Sequence, residues 1–272
     1  WAGGGPSPAN ISTVERLDYN NDTASAVAKG PLSSARGYIA GCGNRNFGYL
    51  NGKTPGGSST VDRIDYSNDT ATSIEKGPLS IARESMSATG NQSFGYFAGG
   101  YTPTISTIDR IDYSNDTGTA LVRGPLTEVK GYTAATSSRA NALPLENIVN
   151  YAAGTLGTPN TGYFGGGTPS TVSTIDRIDY SNDTATASVK GPLTQSKRVG
   201  AATGNASFGY FGGGRLDSGG PSPHNLISNV DRVDYLNDTT TAVVKGPLSA
   251  GRYYIGAAGN QIFGYFGGGW TG

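Results

Sequence analysis

The chain has 272 residues, and its 20 lysines and arginines balance 20 aspartates and glutamates, so there is no electrostatic footprint for nucleic acid or an anionic membrane. One cysteine and one histidine exclude an internal disulfide and most metal-ligand clusters. No apolar run is long enough to span a bilayer.

The chain opens on Trp1 rather than Met, with no recognisable signal peptide, as expected of a processed product or a segment of something longer. Trp1-Ala2-Gly3-Gly4-Gly5 resembles a truncated second strand. Ile11 to Tyr19 and Thr23 to Ala28 then read as a third and a fourth strand. From there one pattern runs to the C-terminus. A β-branched stretch ending in tyrosine and an Asn-Asp turn recurs around Tyr19, Tyr66, Tyr113, Tyr180 and Tyr235, at intervals of 47, 47, 67 and 55 residues. The period of 47 residues, carried over the whole of 1–272, predicts one domain. The 43 glycines therefore read as turns and close strand approaches rather than disorder.

The copy from Ile81 to Leu126 reads as four short strands. Ala82 to Gly90 is small and mildly apolar and stops at Gly90-Asn91, a turn signal. Phe94 to Ala98 is aromatic and closes on Gly99-Gly100. Ser106 to Tyr113 alternates, with Ile111 and Tyr113 on one face and Arg110 and Asp112 on the other. Ser114-Asn115-Asp116 is a polar turn. Thr117 to Val122 is a fourth strand, stopped by Gly124-Pro125. No segment has a helical period, so the class is all-β. Cys42, in Gly41-Cys42-Gly43, is expected to be a buried, inert thiol.

The third interval carries an insertion between Ser137 and Thr161, near residues 138–160. It is predicted to be a long loop on the face of the first-to-second-strand turns. Glu146 to Tyr151 faintly resembles the tyrosine strand, and a decayed sixth blade is the alternative. A second, shorter insertion holds His224 in a turn-rich loop from Arg215 to Leu226. At the C-terminus, Gly251 to Gly259 and Phe263 to Gly269 read as first and second strands. Four antiparallel strands at this period predict a β-propeller blade. We therefore expect a five-bladed β-propeller of four-stranded antiparallel blades. Its closing blade is shared between the N- and C-termini, which leaves no free sheet edges.

Recurring Arg-x-Asp pairs (Arg63 with Asp65, Arg110 with Asp112, Arg177 with Asp179) read as structural, because five identical active sites in one ring are not expected. The glycine pairs Gly99-Gly100 and Gly166-Gly167, the strand tyrosines Tyr113 and Tyr180, and a basic residue after each Pro-Leu turn (Arg36, Arg83, Lys130, Arg198, Arg252) resemble kelch repeats of the galactose-oxidase type of propeller. The departure lies in the fourth strand. Kelch repeats carry a tryptophan there, whereas this chain has Val27, Ile74, Leu121, Ser188 and Val243. The near-identical glycine-rich repeats are also similar to those of structural proteins of marine bacteriophages.

For chemistry, one histidine is too few for a nucleophilic triad or for the copper site of a galactose-oxidase-like enzyme. Glycosidase chemistry needs two carboxylates in a cleft, and nearly all acids here belong to the repeat. The oxygen-rich turns, such as Asp65, Asn68 and Asp69, are conceivable calcium ligands, but turn chemistry explains them. No metal or cofactor is expected.

The basic set Arg36, Arg83, Lys130, Arg198 and Arg252 begins the innermost strand of each blade. It either caps backbone carbonyls or rings a channel mouth that takes an anionic or sugar ligand. The second-to-third-strand loops differ most between repeats and gather Tyr101, Arg215, Asp217 and His224 on that same face, so a ligand is expected there. The rival face carries the insertion from Arg139 to Asn160. The function expected is a non-enzymatic binding or structural module on a virion or other extracellular surface. It would contact a glycan or a surface protein, with self-association possible and no nucleic acid or membrane involved. The alternative is an extracellular propeller enzyme, an oxidase or a glycan-cleaving one.

Overall fold

The computed structural model describes residues 10–16, 18, 25–53, 57–138, 160–198, 200–216, 225–260 and 262–271. An N-terminal pair, β1 (Val14–Arg16) and β2 (Val27–Lys29), precedes the first four-stranded sheet of β3 (Gly37–Gly43), β4 (Phe47–Lys53), β5 (Val61–Asp65) and β6 (Ile74–Lys76). The second sheet holds β7 (Ser87–Gly90), β8 (Phe94–Ala98), β9 (Ile108–Asp112) and β10 (Leu121–Arg123). The third holds β11 (Ala134–Ser137), β12 (Thr161–Gly165), β13 (Ile175–Asp179) and β14 (Ser188–Lys190). The fourth holds β15 (Ala201–Gly204), β16 (Phe208–Gly212), β17 (Val230–Asp234) and β18 (Val243–Lys245), and β19 (Gly256–Gly259) pairs with β20 (Gly264–Gly267). Within each sheet the strands lie in chain order and run antiparallel. The first strands β3, β7, β11, β15 and β19 pack on one another in succession. This is a propeller arrangement, with first strands innermost and fourth strands on the rim.

The described residues form four complete blades, and the end pairs β1–β2 and β19–β20 are separate two-stranded sheets rather than the predicted fifth blade. The physical reason is connectivity. Inside a blade a short turn enforces each register, whereas the shared blade would have to join strands from opposite ends of the chain. The predicted loop from Arg139 to Asn160, with its Glu146–Tyr151 segment, falls outside the described residues apart from Asn160, and so does Trp1–Gly5.

The apolar cores lie between blades rather than on the axis. Tyr49 and Val61 of the first blade pack with Phe97 and Ile111 of the second. Tyr96 and Ile108 of the second pack with Phe164 and Ile178 of the third, and Tyr163 and Ile175 of the third pack with Phe211 and Val233 of the fourth. The alternation of the Tyr-Phe dipeptide explains this. In β8 and β12 the tyrosine faces the next blade and the phenylalanine the previous one, and in β4 Leu50 takes the phenylalanine's place. The tyrosines stack across the gap on third-strand tyrosines. Tyr49 lies on Tyr113 at 4.7 Å, Tyr96 on Tyr180 at 4.9 Å and Tyr163 on Tyr235 at 4.7 Å between ring centroids. Cys42 sits in the first of these gaps. Burial there pushes its thiol up to about 12, against a hydrogen bond with Tyr113.

The Gly-Pro-Leu turn is a second inter-blade joint. The N–H groups of Gly77, Gly124 and Gly191 each donate to the carbonyl of Asp116, Asp183 or Asp238 in the following blade, at 2.8 Å. A Cβ on Gly124 would stand 1.7 Å from the Ala185 carbonyl oxygen, so no other residue fits.

Candidate functional site at the axial mouth

The basic residues expected to ring the channel are mostly not free to bind. Arg36, Arg83 and Lys130 are buried, and each pairs with a fully buried aspartate of its own blade: Asp62 at 3.0 Å, Asp109 at 2.7 Å and Asp176 at 2.8 Å. Arg83 also donates to the Phe97 carbonyl. The fourth member of the set is Lys197, not Arg198. Lys197 is buried, lies 2.9 Å from Asp231 and donates to the Phe211 carbonyl. The adjacent Lys197-Arg198 hides the register in the sequence. Arg252 hydrogen-bonds Ser249 and is half-buried. The carbonyl-capping role therefore holds for Arg83 and Lys197, and the ligand-binding role falls for Arg36, Arg83 and Lys130.

The Arg-x-Asp pairs are structural, but their partners are not the neighbours in the strand. Arg63 reaches Asp116 of the next blade at 2.8 Å, Arg110 reaches Asp183 at 2.7 Å and Arg177 reaches Asp238 at 2.7 Å. A fourth-strand cation joins each one: Lys76, Arg123 or Lys190. The second-strand tyrosine hydroxyl completes the clamp, as when Tyr49 donates to Asp116 at 2.8 Å. Asp65, Asp112 and Asp179 instead accept from the serine two residues on and cap the turn. Asp69 of the proposed calcium turn pairs with Arg16 and Lys29. Among the described residues no group of three or more His, Cys, Asp or Glu side chains could hold a metal ion.

What remains at the mouth is aromatic. Two residues after Arg36, Arg83, Lys130 and Arg252 the backbone enters the left-handed region: Tyr38 (φ 48°), Ser85 (φ 54°), Tyr132 (φ 53°) and Tyr254 (φ 55°). Non-glycine residues pay for this conformation, and where it persists it is held by its surroundings. Here it accompanies tyrosines that meet across the ring. Tyr38 lies 6.2 Å from Tyr132 and 5.4 Å from Tyr254, and Tyr132 lies 6.4 Å from Tyr254. The residue just after the basic one is paired through the backbone with a residue after the second strand in four repeats: Glu84 with Tyr101, Gly131 with Thr168, Arg198 with Arg215 and Tyr253 with Trp270.

Two of the predicted contact residues thus reach this mouth. Tyr101 is exposed and lies 5.4 Å from Tyr132. Arg215 places its guanidinium 5.5 Å from the centre of the Tyr253 ring. Asp217 and His224 lie outside the described residues. Tyr38, Tyr132, Tyr254 and Trp270 escaped the sequence reading. Their signal was present, because the position two residues after the basic residue reads Tyr, Ser, Tyr, Val, Tyr around repeats that are otherwise nearly identical. Burial raises the Tyr132 and Tyr254 hydroxyls above the ordinary phenol range, so both are neutral donors. Glu84, buried beside Tyr132, adds one carboxyl group to that side.

A cavity of about 470 Å³ lies elsewhere, between the N-terminal pair and the first blade, and is lined by Arg16, Lys29, Cys42, Leu50, Tyr66, Asp69 and Ala257 among others.

No family model matches the chain, and no curated protein does. A solved structure titled "Structure of YjhT", of a propeller-fold protein, aligns with a TM-score of 0.64 and 11% identity over 92% of this chain and 88% of that one. At that identity the likeness speaks for the fold alone, and the chain is a β-propeller.

Proposed function

We propose that this propeller is a non-enzymatic glycan-binding module whose ligand sits on the tyrosine-lined axial mouth. The observation that carries the reading is convergence. The repeats differ chiefly where their side chains meet at this mouth, and those positions hold tyrosine and tryptophan. Rigid amphipathic rings give large contact area at low entropic cost and suit the apolar face and hydroxyl rim of a sugar. The repeated ionisable groups are engaged in clamps, which leaves few for acid–base chemistry. Display on a virion or other extracellular surface fits the neutral charge and the likeness of the repeats to phage structural proteins. A kelch-like ancestry fits the glycine pairs.

We also propose that β1–β2 and β19–β20, separate two-stranded sheets in the structure, join into a fifth blade. Tyr265 is 53% exposed, whereas its equivalents Tyr49, Tyr96 and Tyr163 are fully buried. Pairing β20 with β1, with Tyr265 opposite Arg16 as Tyr49 is opposite Arg63, would seat it over Tyr66 and Asp69 in the 470 Å³ cavity. Tyr265→Ala should then lower the melting temperature as much as Tyr96→Ala does. A negligible effect would leave the ring open.

The functional test is a glycan array followed by titration calorimetry on the hits. Tyr132→Ala should lose binding at an unchanged melting temperature. Retained affinity, or hydrolysis or oxidation of the hit, would overturn the reading.

A further inference from the structure

The mouth is not uniform, and its asymmetry narrows the ligand. Arg198 and Arg215 exchange both backbone hydrogen bonds, at 3.2 and 3.0 Å. They are therefore directly opposite, on one face, with Cα atoms roughly 5.5 Å apart. Like charges so placed destabilise a sheet. The fold does not call for them, because the equivalent pairs in other blades are Glu84 with Tyr101, Gly131 with Thr168 and Tyr253 with Trp270. Arg36, Arg83, Lys130 and Lys197 each have a carboxylate partner, whereas among the described residues no carboxylate pairs with Arg215, which lies over the Tyr253 ring. That ring adjoins Tyr254 at 4.7 Å and Trp270 at 6.3 Å. A guanidinium laid on an aromatic ring keeps its edge free for a planar oxyanion. On the other side of the mouth stands Glu84, 5% exposed and near Tyr132, where no cation is offered.

We infer that the mouth selects saccharides bearing an oxyanion, a carboxylate or a sulfate, with that group at Arg215 and Arg198 and the neutral sugar over Tyr254 and Tyr132. This inference rests on the glycan-binding reading above.

The experiment uses the full chain and an array that pairs each neutral oligosaccharide with its uronic-acid and its sulfated counterpart, then calorimetry on the best pair. The acidic member should bind at least about tenfold tighter than the neutral one, and the gap should narrow as salt rises from about 0.05 to 0.5 M. Which acidic series responds separates carboxylate from sulfate. Arg215→Gln should bring the acidic ligand within about twofold of the neutral one, because the variant removes the fork and not the tyrosines. Equal affinity of wild type for acidic and neutral members overturns this inference and leaves the glycan site standing. Failure of wild type to bind any member overturns both. Should Arg215→Gln not fold, Arg198→Gln and the salt dependence of wild type decide.

Discussion

The inter-blade clamp on Asp116 offers the sharpest energetic prediction. Its carboxylate accepts from Tyr49 at 2.8 Å and pairs with Arg63 at 2.8 Å and Lys76 at 3.2 Å. Asp116→Ala removes all three at once. The Arg63 and Lys76 side chains are 19% and 14% exposed, so their charges regain some water. The Tyr49 hydroxyl belongs to a residue with no exposure and regains none. Removing one partner of a buried pair costs 3–5 kcal/mol, and the partial exposure places this case at about 3 kcal/mol. For a chain of this size that is a fall of roughly 6–12 °C in melting temperature. Asp116→Asn keeps an acceptor for Tyr49 and should lose about half as much. The control is Asp65→Ala, which deletes only a solvent-facing turn cap on Ser67 and should lower the melting temperature far less. Differential scanning calorimetry of the three variants decides the matter. If Asp65→Ala is as damaging as Asp116→Ala, the partner assignment is refuted.

The same clamps set an acid limit. Burial raises Asp116, but hydrogen bonds from Tyr49, Lys76 and Arg63 prevail and hold its carboxyl below its ordinary value, and Asp69 is depressed likewise, with Lys29 and Arg16 outweighing its burial. A depressed folded pKa gives stability that is present at neutral pH and lost as pH falls through that value, below about pH 4. Melting curves down the pH scale should show this decline, and Asp116→Asn should flatten it. Gly124→Ala forces a Cβ to within 1.7 Å of the Ala185 carbonyl oxygen; the variant should lose at least about 3 kcal/mol or fail to fold, as read by chemical denaturation. Tyr254→Gly relieves a left-handed backbone (φ 55°) worth roughly 1 kcal/mol, so its melting temperature should hold or rise while saccharide affinity falls.

Much of the scaffold was legible because it repeats. The second strand was predicted from Phe94 to Ala98 and is β8 itself. The first strand was predicted from Ala82 and begins only at Ser87. Arg83 and Glu84 bond loop residues, and Ser85 then turns left-handed, a break that no residue-type signal announces. The fourth strand was read from Thr117, but Leu121 opens it, since Asp112 and Asn115 hold the preceding residues in the turn. Partners across blades were the hardest part. A strand pattern gives the face of Arg110 but not that the nearest acid in space is Asp183, 73 residues on. The mouth was half legible. Tyr101 and Arg215 stand out as loop residues that differ between repeats, while Tyr254 falls inside the strand predicted from Gly251 to Gly259 and Tyr38 and Tyr132 carry no signal in a single repeat.

The place of a bound sugar is the most direct test of the mouth as the binding site. A crystal structure of the protein soaked with its best array ligand should show the sugar at the axial mouth, over Tyr132 and Tyr254, with its oxyanion at Arg215. Density on the opposite face, beside Ser138 and Asn160, with the tyrosine mouth empty, would contradict it.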